Sequence, residues 1–129
     1  MTFGRVILVA TALILAVIGI GFLWSPDGWA KAIEVAAETA MARTDVRATY
    51  GGFVLASGVF LALCAFRTEW LRPGLLACGF IYAGFGSGRL LGIALEWQAS
   101  PLMVFFLVVE IVGAALSFYA FSRLERSSR

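Results

Sequence analysis

Histidine is absent from this 129-residue sequence, and its two cysteines, Cys64 and Cys78, stand apart from each other. Without imidazole the chain cannot ligate haem through histidine, form the usual zinc sites or use histidine in acid–base catalysis. Without a CxxC motif it has no signature of a thiol–disulfide enzyme or of a cysteine metal site. The sequence therefore offers no histidine or cysteine site for catalysis, for a metal or for a cofactor.

Charge is also scarce. Only 14% of the residues are charged and 61% are hydrophobic, with a mean hydropathy of +0.93, whereas soluble domains carry about a quarter charged residues. A soluble chain of this length could not bury so much apolar surface, so lipid must form part of its surroundings. The net charge of +2, without a basic patch interleaved with aromatic residues, argues against a nucleic-acid partner.

Four apolar segments are each long enough to cross a bilayer, which takes roughly 20 helical residues. They cover residues 5–24, 47–66, 74–95 and 102–121. The first segment exceeds the apolar core of a signal peptide, about 15 residues at most, so we expect it to be retained as a helix. Because most of the links are short, the sequence predicts a single all-α transmembrane domain over residues 1–129, folded as an up-down-up-down four-helix bundle.

The long connection after the first segment predicts a short amphipathic helix in the first outer loop, over about residues 28–42. Trp29, Ile33 and Ala37 recur at helical spacing, opposite Glu34 and Glu38. Such a helix would cap the bundle, lie on the outer membrane surface or cover a site as a mobile lid.

Basic residues are distributed unequally between the two sides of this topology. One side carries six arginines: Arg5, Arg67, Arg72, Arg123, Arg126 and Arg129. The other carries only Lys31, Arg43 and Arg47, diluted by acidic neighbours. Since loops rich in lysine and arginine stay in the cytoplasm, both termini are predicted to be cytoplasmic.

Arg89 and Glu110 are the charged residues inside the third and fourth segments. On antiparallel helices their Cα atoms would differ in depth by roughly 5 Å, within reach of an arginine side chain. Because either charge alone would be costly in the membrane, the two are predicted to form a buried or half-buried ion pair. This pair is either a structural staple that sets the helix register or part of a ligand site.

Further polar residues are predicted in the same outer half of the bundle. Tyr82, Arg89 and Glu96 are spaced by sevens and so share one helical face. Glu96 could also be an ordinary surface residue with no role in a site, because it lies at a helix end beside water.

At the outer end of the second segment, Arg47 and Tyr50 lie one turn apart, and Ser57 continues their stripe. Arg47 could simply snorkel to the membrane surface, and Tyr50 suits an aromatic belt.

Glycines mark surfaces on which another helix can approach closely. In the third segment, three of them form two overlapping GxxxG steps, a pattern typical of helix packing in membranes. The residues assigned to helix packing are Gly51, Gly52, Gly84, Gly88 and Gly92.

The stretch RATYGG at residues 47–52, the stretch GSGRLLG at residues 86–92 and the glutamate of the fourth segment resemble a bacterial family. Its members are small four-helix inner-membrane proteins catalogued only as a domain of unknown function. The resemblance covers about residues 43–116 and implies the fold and a bacterial inner-membrane location, but no activity. It points to Arg47, Tyr50, Gly51, Gly52, Gly88, Arg89 and Glu110. After the third helix the family pattern has aspartate followed by glycine, where this chain has Glu96 and Trp97.

Three hypotheses for function follow. In the first, the polar residues bind an amphipathic ligand such as a membrane lipid, a quinone or another isoprenoid; they are Arg89, Glu110, Tyr50, Arg47, Glu96 and Tyr82. In the second, the protein is an accessory subunit of a larger membrane complex, or a homo-oligomer, and the glycine face is the seam. In the third, Glu110 is the proton-linked acid of a small transporter or membrane enzyme. The third is disfavoured because small four-helix multidrug carriers place their working glutamate in the first helix, which here has no acidic residue.

Overall fold

The computed structural model describes residues 2–127 of the chain, with side chains up to Leu124. All regular structure within this range is helical. In chain order the elements are α1 (Phe3–Trp24), α2 (Pro26–Ala32), α3 (Ala40–Val46), a π-helix (Arg47–Phe53), α4 (Val54–Phe66), α5 (Thr68–Glu96) and α6 (Pro101–Ser127). Arg129 and the side chain of Arg126, both used above to predict orientation, lie outside the described residues.

Four helical stretches are long and apolar enough to cross a membrane, which confirms the four predicted spans. They are Phe3–Trp24, Ala40–Phe66, Thr68–Glu96 and Pro101–Leu124. The third begins at Thr68 rather than at residue 74, because α5 continues through Pro73. Proline cannot donate to the carbonyl of Glu69, but both residues are exposed, so water can satisfy that carbonyl. The up-down-up-down order stays a prediction.

The connection after α1 contains helical structure, as predicted, but the helix predicted over residues 28–42 is not continuous. The structure has two short helices there, α2 and α3, separated by an irregular stretch. The interruption is set at Glu34, whose φ of 63° is left-handed and therefore incompatible with a continuing helix. Helical periodicity in the sequence cannot reveal such a stop, because the apolar spacing continues on both sides of it.

A Schellman motif ends α2 at this point. The amide of Glu34 donates to the carbonyl of Lys31 at 3.2 Å, and the amide of Val35 donates to the carbonyl of Ala30 at 2.8 Å. These are the two hydrogen bonds of that motif, which usually places glycine in the left-handed position. Ala30 is fully buried and Val35 packs against its cluster, so an apolar contact accompanies the hydrogen bonds.

Contacts divide the chain into two compact units, one formed by residues 9–63 and the other by residues 1–8 and 64–129. We call them the α1–α4 unit and the α5–α6 unit. In the α5–α6 unit, α5 and α6 form the main helix pair. Gly79 lies against the ring of Phe118, and Cys78 is fully buried beside Ser117, whose hydroxyl lies 3.4 Å from its sulfur.

Close approach of helices also organises the α1–α4 unit. A Cβ placed on Gly19 of α1 would lie 2.7 Å from the backbone nitrogen of Leu55 and 2.9 Å from the carbonyl oxygen of Gly51. A Cβ on Gly58 would lie 3.0 Å from the carbonyl oxygen of Ala12. Glycine is needed at both positions because backbone, unlike a side chain, cannot move aside.

The second span is not a uniform α-helix, since the π-helix joins α3 to α4. A π-helix closes its hydrogen bonds over five residues and is therefore wider than an α-helix. The 3.6-residue period that placed Arg47, Tyr50 and Ser57 on one stripe does not hold across this segment. The stripe therefore stays a prediction; the hydroxyl of Ser57 donates to the carbonyl of Phe53 on the same helix, at 2.8 Å.

Candidate functional site

The predicted ion pair between Arg89 and Glu110 is confirmed. Arg89 lies on α5 and Glu110 on α6. The Nη2 atom of Arg89 donates to Oε1 of Glu110 at 2.8 Å, and its Nε atom donates to Oε2 at 3.0 Å. Two parallel contacts of this kind form the bidentate fork that makes arginine–carboxylate pairs strong and geometrically specific.

Burial differs between the two partners. The Glu110 side chain is 10% exposed, whereas that of Arg89 is 26% exposed. The carboxylate is thus enclosed by protein, and the guanidinium retains a surface that can reach its surroundings.

Two neighbours that the sequence interpretation did not name shape this pair. The Arg89 guanidinium carbon lies 5.2 Å from the ring centre of Phe106, a cation–π contact. Gly86 is buried, and a Cβ there would lie 3.4 Å from the Cβ of Glu110, so α5 approaches α6 closely at this point. Both lie at helical spacing from the pair, since Phe106 precedes Glu110 by four residues and Gly86 precedes Arg89 by three, but spacing alone does not single them out.

Tyr82 faces α6, as expected from its position seven residues before Arg89. Its ring lies against Gly113, whose added Cβ would be 2.8 Å from two ring atoms. Tyr82 is half-buried. The structure thus gives Tyr82 a packing role between α5 and α6, on the same interface as the ion pair.

Glu96 is the last residue of α5 and is exposed. Among the described residues, no hydrogen bond or ion pair involves its carboxylate. The structure therefore does not connect it to the Arg89–Glu110 pair. The next residue, Trp97, has a φ of 51°, the left-handed conformation that suits the glycine of the family pattern.

Arg47 and Tyr50 belong to the α1–α4 unit and lie on the π-helix. The Nε atom of Arg47 donates to the carbonyl of Leu23 near the end of α1, at 3.3 Å. The ring of Tyr50 stacks on Phe22, with ring centres 5.1 Å apart. Both side chains thus have partners near the end of α1, and their participation in a ligand site stays a prediction.

The five glycines assigned to helix packing separate into two groups. Gly51 is buried, and a Cβ there would lie 2.9 Å from the Leu23 side chain, whereas the nearest atom for Gly52 is 3.7 Å away. For Gly84, Gly88 and Gly92, no described atom other than the neighbouring chain of α5 itself lies within 4 Å of an added Cβ. We call these last three residues the glycine face; Gly84 and Gly88 are exposed and Gly92 is half-buried.

The chemistry available at this site is that of a fixed guanidinium beside an apolar surface. Arginine stays charged and donates to carbonyl, carboxylate or phosphate oxygens. Within residues 2–127, no group of three or more cysteine, aspartate or glutamate side chains could hold a metal ion. The site therefore presents a fixed cationic donor to oxygen acceptors.

Four membrane-length helices, two of them joined by a bidentate ion pair, define a multi-pass helical membrane protein. The chain belongs to the family described as "Domain of unknown function (DUF4345)", whose family model matches residues 3–121. This match confirms the resemblance noted from the sequence. No curated protein and no solved structure matches the chain. Because the family description names no activity, function must be argued from the site.

Proposed function

We propose that this protein binds an amphipathic ligand, such as a lipid, a quinone or another isoprenoid, with Arg89 as the polar anchor. The observation that carries the proposal is the uneven burial of the ion pair within two candidate spans, with Arg89 at 26% and Glu110 at 10% exposure. Beside its ion pair with Glu110, the partly exposed guanidinium can take a further polar group within the candidate spans. A carbonyl, phosphate or carboxylate group at the head of a ligand would supply it.

The surface beside Arg89 suits the apolar part of such a ligand. Gly88 and Gly92 precede and follow Arg89 on α5, and both lie on the glycine face. Without side chains, this strip of helix presents a smooth backbone surface to an acyl or isoprenoid chain. Phe106 closes one side of the guanidinium, at 5.2 Å from its central carbon.

Native mass spectrometry of the protein, gently extracted from its own membrane, tests this function. We expect a small lipid-like mass to stay bound to the wild type and to be lost from Arg89→Leu. Arg43→Leu is the matched control, because Arg43 is also ion-paired, to Asp27 at 3.8 Å, but lies in the other unit. Arg89→Leu leaves the Glu110 carboxylate buried without its partner, which could release the ligand by destabilising the fold. An Arg89→Gln/Glu110→Gln variant removes both charges together and so separates ligand binding from this destabilisation. Equal retention of the mass by all variants, or its absence from the wild type, would contradict the proposal.

A second candidate function is favoured by the glycine face itself. Gly84, Gly88 and Gly92 lie at small-xxx-small spacing, and no other helix of their unit comes within 4 Å of a Cβ added at these positions. This is the arrangement through which membrane helices associate, so the protein could be an assembly subunit of a larger complex or a homo-oligomer. In that case Gly88→Leu should abolish co-purification or self-association, while Arg89→Leu should leave it intact. Under the ligand-binding proposal, Arg89→Leu instead loses the bound lipid-like mass.

For location, we propose the bacterial inner membrane with both termini in the cytoplasm. The support is the excess of arginine at the start of α1, between α4 and α5 and near the end of α6. Reporter fusions test it. A reporter that is active only in the cytoplasm should work at the C-terminus and fail when inserted between α5 and α6, and the opposite pattern would refute the orientation.

A further inference from the structure

A cavity of about 690 Å³ lies in the connection after α1, within the α1–α4 unit. Its volume is in the range of about 300–1,000 Å³ that is usual for small-molecule sites. We call it the loop cavity. Five charged residues line it: Asp27, Lys31, Glu34, Glu38 and Arg43. Because the lining carries both signs of charge, it suits a ligand that carries both signs as well.

Arg43 and Asp27 already interact with groups of the loop. The Nε atom of Arg43 lies 3.8 Å from Oδ1 of Asp27, and its Nη1 atom donates to the carbonyl of Glu38 at 2.9 Å. The charges of Arg43 and Asp27 therefore offset each other. The charged groups that remain for a ligand are the ammonium of Lys31 and the carboxylates of Glu34 and Glu38.

Lys31, Glu34 and Glu38 line the same cavity without pairing with one another. All three are exposed, and among the described residues no hydrogen bond or ion pair involves their charged groups. An ammonium donates to anionic oxygens, and a carboxylate accepts from ammonium groups. Together the three side chains match a compact zwitterion, in which a short chain joins an ammonium to an anionic group.

Glu34 occupies its position on the cavity wall at a cost in stability. Its φ of 63° is in the left-handed region, where the Schellman motif usually has glycine. Unfavourable backbone conformations of this kind cluster at binding sites. Glycine would relieve the strain but would also remove a carboxylate from the loop cavity.

The loop cavity lies beside the ends of two membrane-length helices. Its lining residues fall within 27–43, between the end of the span Phe3–Trp24 and the first turn of the span Ala40–Phe66. Val35 and Ala37 add apolar surface to the lining and pack into the core of this unit. A phospholipid whose head group is bound at such a place keeps its acyl chains in the bilayer, so a lipid is favoured over a free zwitterion.

We propose that the loop cavity binds the head group of a phospholipid that has a primary ammonium, such as phosphatidylethanolamine. Lys31 donates to the phosphate, and Glu34 and Glu38 accept from the ammonium. Phosphatidylcholine fits poorly, because its trimethylammonium has no N–H to donate and such groups are recognised by aromatic rings. Among the described residues, none that lines the cavity is aromatic. This inference does not depend on the ligand proposed for Arg89, since the two sites share no residue.

Lipid competition followed by native mass spectrometry tests the loop cavity. The full chain in detergent is mixed with equal amounts of phosphatidylethanolamine and phosphatidylcholine that have the same acyl chains. We expect the first bound lipid to be phosphatidylethanolamine about ten times as often as phosphatidylcholine, which is the effect of one hydrogen bond to a charged group.

Substitutions on the cavity wall should remove this preference without unfolding the protein. Glu34→Gly/Glu38→Gln should bring the ratio of the two lipids to about one. Glu34→Gly alone should lower the ratio while raising the denaturant midpoint, so the lost selectivity is not a loss of fold. Asp45→Asn is the matched control and should keep the ratio, because Asp45 is an exposed carboxylate of α3 outside the cavity lining.

Two results would overturn the proposal: a ratio near one in the wild type, or a ratio that survives the double substitution. Glycerophosphoethanolamine, the same head group without acyl chains, separates the lipid from a free zwitterion. If it displaces phosphatidylethanolamine at equal concentration, the cavity is a site for the free compound and the lipid assignment is wrong. If the lipid stays bound, the lipid assignment is supported.

Discussion

The ring of Tyr82 on α5 occupies the space in which a side chain on Gly113 of α6 would begin, with two ring atoms 2.8 Å from the position of an added Cβ. Gly113→Ala should therefore lower the free energy of unfolding in detergent by about 1–3 kcal/mol, the usual cost of overpacking an ordered interface. Unfolding followed by circular dichroism during a denaturant titration measures this difference.

Gly88→Ala is the matched control, because nothing in its unit lies within 4 Å of the added Cβ. Alanine is favoured over glycine inside a helix by about 0.5–1 kcal/mol, so this variant should be unchanged or slightly more stable. If Gly88→Ala is as destabilising as Gly113→Ala, the glycine face is covered, and the assembly function gains over the ligand function.

A double-mutant cycle tests the energetic coupling of Arg89 and Glu110. Arg89→Ala and Glu110→Ala should each destabilise the protein by about 3 kcal/mol, because each leaves a partly buried charge without its partner. The double variant should lose less than the sum of the two, by about 1–3 kcal/mol.

The exposed pair of Arg43 and Asp27 provides the reference for that cycle. Its closest atoms are 3.8 Å apart, and the side chains are 34% and 67% exposed. Exposed pairs contribute at most about 1 kcal/mol, so the same cycle there should give a small coupling energy. Additive losses at Arg89 and Glu110 would show that their hydrogen bonds do not stabilise the fold.

Glu34 offers a test of the Schellman motif that ends α2. Its left-handed φ of 63° is unfavourable for a residue with a Cβ. Glu34→Gly should therefore stabilise the protein by about 1 kcal/mol, measured as a shift in the denaturant midpoint. Glu34→Ala removes the same carboxylate but keeps the Cβ, so it should bring no gain; equal stabilisation by both changes would assign the effect to charge instead.

The ion pair could be predicted from sequence because few alternatives existed. Arg89 and Glu110 are the charged residues of two apolar segments, and a short link places those segments side by side. The neighbours of the pair were harder to predict. Phe106 and Gly86 lie at helical spacing from it, but so do other residues of α5 and α6. Helical spacing predicts which residues of α5 share a face, but only the packing shows which of these faces contacts α6.

Two other features, the loop after α1 and the π-helix of the second span, could not be predicted from the sequence. Ile33 and Ala37 keep helical spacing, yet Glu34 between them is left-handed. The spacing of apolar residues does not predict the hydrogen bonds that end a helix. Likewise, the RATYGG stretch contains no sequence signal that predicts a π-helix. Gly51 approaches Leu23 and Gly19 closely, and that tertiary contact, rather than local propensity, accompanies the wider turn.

The π-helix at Arg47–Phe53 also makes the second span tolerant of a change in chain length. A π-turn accommodates more residues than an α-turn, so the loss of one residue there can be absorbed by a return to α-helical hydrogen bonding. Deleting Ala48 should thus leave α4 facing its present neighbours. Deleting Ala56, within α4 itself, would turn the residues on one side of it by about 100° relative to those on the other. The motif that carries the family resemblance is therefore also the place where the register of this span can be reset.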